Sequence, residues 1–231
     1  FGTSYYYNEP AMSVVLERAP ATLTLACAAL LISVVLGIPA GIVAAVKRNS
    51  VSDAVIRVLA LLGQCMPAFW LGIMLIMLFA VKLGWMPTGG AEDGLRSLIL
   101  PAFTLGVFSA ATICRLLRSN LIEVLGKEYI DVAKAKGLPK SKIIGKHALK
   151  NAMSSIITIL GMQFASLLGG SVITEQVFAW PGVGRLVIQS ITTSDFAVVE
   201  CIVFLMAVIF VVINFIVDVL YCVINPRVRL Q

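Results

Sequence analysis

Five apolar runs, each long enough to cross a bilayer, leave this chain few ways to fold. They cover approximately Thr22–Val46, Ile56–Val81, Leu98–Leu117, Ser155–Val177 and Ala197–Ile224. A hydrocarbon core about 30 Å thick needs roughly 20 helical residues. Leu, Ile, Val, Ala and Gly fill the runs, without the long period-two alternation of barrel strands. Backbone polar groups in lipid must pair within their own segment, so such runs are helices. Of the 231 residues 59% are hydrophobic and 13% charged, and the mean hydropathy is +0.98. The expected fold is all-α and polytopic.

The charges are placed unevenly. Lys47, Arg48 and Arg57 lie between the first two runs; Arg115, Arg118, Lys127, Lys134, Lys136, Lys140, Lys142, Lys146 and Lys150 flank or fill the third gap; Arg227 and Arg229 follow the last run. Only Arg18, Lys82, Arg96 and Arg185 fall on the other side. The positive-inside rule puts the larger set, and the C-terminus, in the cytoplasm. The net charge of +6 is therefore a topological signal and gives no ground for nucleic acid binding.

The densest basic stretch is also the one with a helical pattern. In EYIDVAKAKGLPKSKIIGKHALKNA, Glu128–Ala152, the residues Tyr129, Ile130, Val132 and Ala133 share one arc at about 100° per residue. Glu128, Asp131 and Lys134 point away, Gly137 follows the end, and Pro139 forbids continuation. Such a helix either lies on lipid headgroups or offers a soluble partner a grip.

The stretch resembles the cytoplasmic EAA loop of permease subunits of binding-protein-dependent ABC importers, whose general form is E-A-A-x3-G-x9-I-x-L-P. Asp131-Val132-Ala133, Gly137 and His147-Ala148-Leu149 hold that spacing, with Asp131, Val132, His147 and Lys150 departing from the general form. The departures are similar to those of the dipeptide, oligopeptide and nickel branch. Further similarities run the length of the chain: Gly37-Ile38-Pro39-Ala40-Gly41; GQCMPAFWLG around Gln64 and Pro67; Gly84-Trp85-Met86-Pro87; Leu100-Pro101-Ala102; LGMQFASLLGGSVITE with Gln163, Gly169 and Gly170; EQVFAWPGVGR with Glu175, Pro181, Gly182, Gly184 and Arg185; and Asn214, Asp218, Tyr221, Pro226 and Arg227 near the end.

The resemblance implies a type I importer permease, of which five spans of six are visible. Residues 1–19 would be an external segment and 20–231 the transmembrane domain, with the coupling loop at 118–151. Phe1, Gly2, Thr3 and Ser4 fit the remnant of a family segment that follows a first helix and an external loop. The helix at Glu128–Gly137, with His147 and Leu149, would dock on an ATPase. The implied partners are a second permease, two ATP-binding subunits, an extracytoplasmic solute-binding protein and membrane lipid. The implied place is the bacterial inner membrane, and the solute a dipeptide, an oligopeptide, or nickel or its chelate.

From the residues alone, the stretch Tyr5–Arg18 has the composition of an external amphipathic helix entering the membrane near Pro20. Gly37 and Gly41 fit close helix approach. Pro67 marks either a packing kink or backbone lining a cavity, and Gln64, Gln163, Gly169 and Gly170 are pathway candidates with it. Glu200 and Asp218 are costly near the membrane and are either functional or solvated at an interface. The glycines of the Glu175–Arg185 turn are expected to supply unusual backbone angles. Cys27, Cys65, Cys114, Cys201 and Cys222 read as small buried thiols, with no C-x-x-C pair. His147, the lone histidine, sits among lysines that repel cations, so no metal or other cofactor is expected. Neither Walker A nor H-E-x-x-H nor G-x-S-x-G occurs, so no catalysis is expected of this chain itself. The alternative is a secondary transporter, which carries midplane charges and inverted repeats.

Overall fold

The computed structural model describes residues 1–224, without the side chains of 154, 155, 170, 218 and 220–224. Asp218, and the surroundings of Gly170, therefore lie outside the described side chains, as Pro226, Arg227 and Arg229 lie outside the described residues.

The first helix, α1, runs from Ala11 to Val46, about 54 Å at 1.5 Å per residue. It passes through Pro20 and Pro39, so the helix expected over Tyr5–Arg18 is helical only from Ala11, as the first part of α1 itself. An interior proline costs a helix about 3 kcal/mol. Here Val14, Val15, Leu25 and Ala26 are buried on either side of Pro20, and that packing offsets the cost of running the helix through it.

The second apolar run does not form one continuous helix. It splits into α2, Val51–Cys65, and α3, Ala68–Leu75, the latter continuing as a π-helical stretch over Ile76–Lys82. The two halves turn by 104°. Pro67 cannot donate to the helix and forces the residue before it out of αR; Met66 accordingly sits at ψ 129°.

Helix α4, Leu95–Leu125, packs along α1. Small residues set the spacing: a Cβ at Gly37 would lie 2.7 Å from the Ala110 carbonyl oxygen, one at Gly41 2.9 Å from that of Cys114, and one at Gly106 2.8 Å from that of Ala29. The glycines of G-x-x-x-G thus serve close approach.

After α4 come α5, Glu128–Ala135; the short α6, Lys140–Lys142; a π-helical stretch Ile143–Ala148; and α7, Leu149–Gly170. The fourth run ends in a turn at Ser171 and α8, Val172–Val177, followed by α9, Val183–Thr192, and α10, Phe196–Ile224. Among the described residues the only extended pairing is one bridge, Thr3 to Pro10. Three helices are long and apolar enough to span a membrane, and two bent pairs bring the number to five if each counts as one.

The core has three parts along α1. Leu25, Ala26 and Ala29 pack with Ala102, Leu105, Leu167, Leu168 and Trp180 in the middle. Ala11, Val14 and Val15 pack with α9 and the start of α10 at one end. At the other, Ala45 joins Leu117, Leu121, Ile130, Ala133, Ile143 and Ala148. Outward-facing Leu31, Val35, Phe210, Val211 and Phe215 are exposed, an apolar belt that suits acyl chains. Cys27 and Cys65 are exposed, contrary to their expected burial, whereas Cys114 and Cys201 are buried.

Candidate functional site

At the end of the bundle that holds Ala45, α5 is built into the core by half of its apolar arc. Ile130 is 0% exposed and Ala133 7%, while Tyr129 and Val132 are 41% and 55% exposed. The sequence arc is thus divided: one edge seals α5 to the bundle, the other is left free. Glu128 and Asp131 are exposed, with Asp131 bound by Lys134 at 2.7 Å. A complete Schellman motif stops the helix. The Gly137 N–H donates to the Lys134 carbonyl at 2.9 Å and the Leu138 N–H to that of Ala133 at 3.3 Å, with Gly137 at φ +72°. His147 and Leu149 are half-buried beneath, and Asn151 ties the end of the loop back by donating to the Tyr129 hydroxyl at 3.0 Å.

The same end carries a pair that sequence reasoning missed. Asp53 is fully buried and accepts from Arg118 through Nε at 2.7 Å and Nη2 at 2.8 Å, a bidentate link from the first turn of α2 to α4. Ser50 caps α2 by accepting from the Asp53 N–H at 3.3 Å. The S-x-x-D spacing at Ser50–Asp53 and an arginine at the edge of an apolar run were the available signals.

In the middle of the bundle lies a cavity of about 280 Å³. Gln163 lines it with Thr104, Ser109 and Ser166, and the α2–α3 corner supplies Gly63, Met66 and Ala68. The break at Pro67 therefore opens beside the polar face of α7. Gln64 points to α4 instead, donating to the Thr112 hydroxyl at 3.0 Å. Gly169 is exposed with nothing near its α-carbon face, lying by α10 rather than in this cavity. Glu200 is exposed on α10.

At the opposite end, the Glu175–Arg185 turn is a knot around one buried carboxylate. Glu175 is 0% exposed. Its Oε1 accepts from Thr22 at 2.8 Å and Ser171 at 2.9 Å, and its Oε2 from the Arg185 N–H at 3.0 Å. Thr22 in turn accepts from the Val183 N–H at 2.8 Å, and the Trp180 indole donates to the Ala21 carbonyl at 2.9 Å. The negative charge sits at the N-terminus of α9, where the helix dipole favours it. Gly182 is needed for space and not for angle: its φ is −100°, but a Cβ would stand 2.4 Å from Glu175 Oε2. Gly184 likewise lies against Val172. The unusual angle falls on Ala179, at φ +50°, whose carbonyl accepts from Arg185 Nη1 at 2.7 Å.

Asp195, also missed, is buried at the start of α10 and accepts from the Ser4 hydroxyl and from the Tyr6 N–H at 3.2 Å, fastening the N-terminal segment. Burial pushes its carboxyl up, but the Ser4 and Tyr6 donors outweigh that and hold it below the usual carboxylate range.

A helical membrane bundle with a stopped amphipathic helix presented at one end and a largely apolar cavity carrying a few polar groups at its middle has the build of a transport permease. The chain belongs to the family described as binding-protein-dependent transport system inner membrane components, whose model matches residues 37–230. It is 42% identical over 229 residues to the glutathione transport system permease protein GsiC of Escherichia coli (strain K12), covering 99% of this chain and 74% of the relative. A putative peptide transport system permease protein of Brucella abortus (strain 2308) is 41% identical over 235 residues, covering 99% and 75%. In fold the chain is similar to the MetNI methionine ABC transporter in an inward-facing conformation, with a TM-score of 0.80 at 20% identity over 94% of this chain and 99% of that one. An amino acid ABC transporter crystallised with histidines gives 0.68 at 18% identity, covering 93% and 94%. The chain is thus an inner-membrane permease subunit of an ABC importer, a transport component that works with ATPase and solute-binding partners. The secondary-transporter alternative falls with that assignment.

Proposed function

We propose that the chain forms, with a second permease, a translocation unit that moves a small peptide-like solute inward by alternating access. Two ATP-binding subunits close the unit from the α5 end, and a solute-binding protein delivers at the end that carries Glu175–Arg185. The α5 end and the C-terminus then face the cytoplasm, in keeping with the positive-inside rule. The names of the relatives support a peptide-like solute, glutathione among them. The solute would pass by Gln163 and the α2–α3 corner, where Gln163, Ser109 and Ser166 stand among mostly apolar lining residues and can meet the donors and acceptors of a peptide.

The observation that carries this reading is the split arc of α5. Tyr129 and Val132 are exposed one turn apart on a helix whose other arc residues, Ile130 and Ala133, are already sealed in the bundle, which is how a helix is offered to a groove. A charge introduced there would lie unpaired in a dry contact, at a cost of several kcal/mol. Val132→Glu is therefore expected to insert normally yet lose at least about tenfold in ATPase co-purification, with uptake into vesicles falling alongside. Lys134→Ala should change both by less than about twofold. Retention of assembly and uptake by Val132→Glu would mean that α5 merely rests on lipid.

A further inference from the structure

Two arginines far apart in sequence, Arg18 on α1 and Arg185 on α9, line one pocket of about 180 Å³, with Tyr7, Gln189 and the Pro181-Gly182 turn completing its wall. No Asp or Glu lines it, and among the described residues neither arginine is in an ion pair. Arg185 is fixed from two sides, through Nη1 to the Ala179 carbonyl and through its own N–H to Glu175, which leaves most of its five side-chain donors unused. Glu175 makes no ion pair with the Arg185 guanidinium: it is buried beneath the turn, and its oxygens accept from Thr22, Ser171 and the Arg185 backbone. Two guanidinium groups around one cavity repel unless an anion lies between them. The Tyr7 hydroxyl is a donor of the kind such an anion needs.

We propose that this pocket binds a carboxylate of the imported solute at the delivery end of the permease. Planar guanidinium forks match a carboxylate bidentately. The volume is small against the roughly 300–1,000 Å³ that encloses a drug-sized ligand, so the pocket takes one end of a molecule and leaves the remainder outside. Naming the anion as the solute's rests on the peptide-import reading; the site itself rests on the two arginines. A lipid phosphate is the other source of negative charge within reach of this end of the bundle.

The test measures occupancy without transport, so its failure leaves the importer reading standing. Native cysteines are replaced by serine, Gln189→Cys is introduced at this exposed position, and the full chain is placed in phosphatidylcholine nanodiscs. Millimolar glutarate is expected to slow modification of the introduced thiol by an uncharged maleimide by at least about threefold, and dimethyl glutarate to leave the rate unchanged. Arg18→Gln should abolish the protection, and Arg18→Lys should keep part of it. Arg185→Gln should abolish it as well, and is read beside Arg18→Gln because it also releases the Ala179 carbonyl. No protection by glutarate in phosphatidylcholine, or equal protection by the diester, overturns the proposal. A rate slowed only by phosphatidylglycerol discs, with glutarate inert, assigns the pocket to lipid and overturns it too.

Discussion

Glu175 holds three segments of the chain with one carboxylate: α1 through Thr22, the end of α7 through Ser171 and α9 through the Arg185 N–H. Glu175→Gln keeps the shape but turns an amide donor toward groups that all donate. A hydrogen bond to a buried charged group contributes about 1.5–3 kcal/mol, so the variant should lose about that much stability, read as a lowered unfolding midpoint in detergent. Asp195 makes a separate prediction, in pH. Its carboxyl lies lower in the folded protein than in the free state, so its contribution is complete above the usual carboxylate range and is lost as pH falls through the lowered value. The N-terminal segment should therefore loosen in acid, seen as greater mobility of a spin label attached beforehand at Tyr7→Cys. With Asp195→Asn the label should be mobile at neutral pH as well and lose the acid dependence.

The helix pair α1–α4 depends on the absence of side chains at its contact. Gly41→Val would drive a branched side chain onto the Cys114 carbonyl and the Leu117 Cβ, 2.9 and 3.1 Å from the first atom alone. Overpacking of this kind costs about 1–3 kcal/mol and sometimes more. The expected outcome is a lower thermal midpoint and less folded protein, compared with Gly145→Ala, where no atom lies within 4 Å of the added Cβ. The corner between α2 and α3 follows a different rule. Its 104° turn is local chemistry at Met66-Pro67, and it places Gly63, Met66 and Ala68 on the cavity wall opposite Gln163.

Across the whole molecule, the structure groups the charges as the sequence did. The Asp53–Arg118 pair joins the first basic gap to the end of α4, and the Thr22–Glu175 bond brings the later turn to Thr22 on α1, roughly 34 Å along that helix from Ala45. Thiols introduced singly by Gly90→Cys and Lys140→Cys in a cysteine-free background should therefore behave oppositely toward an impermeant maleimide on intact cells. Labelling is expected at the first and not at the second, and the reverse pattern would invert the orientation. The number of apolar runs, the well-stopped α5 and the break at Pro67 were legible in the sequence because each follows from local backbone chemistry and the length of the apolar segments. Which half of the α5 arc is free, why Gly182 must be glycine, and the partners of Asp53, Asp195 and Arg185 were decided only by the tertiary structure. Each of those depends on atoms supplied by distant segments, and periodicity along one segment carries no record of what will pack against it.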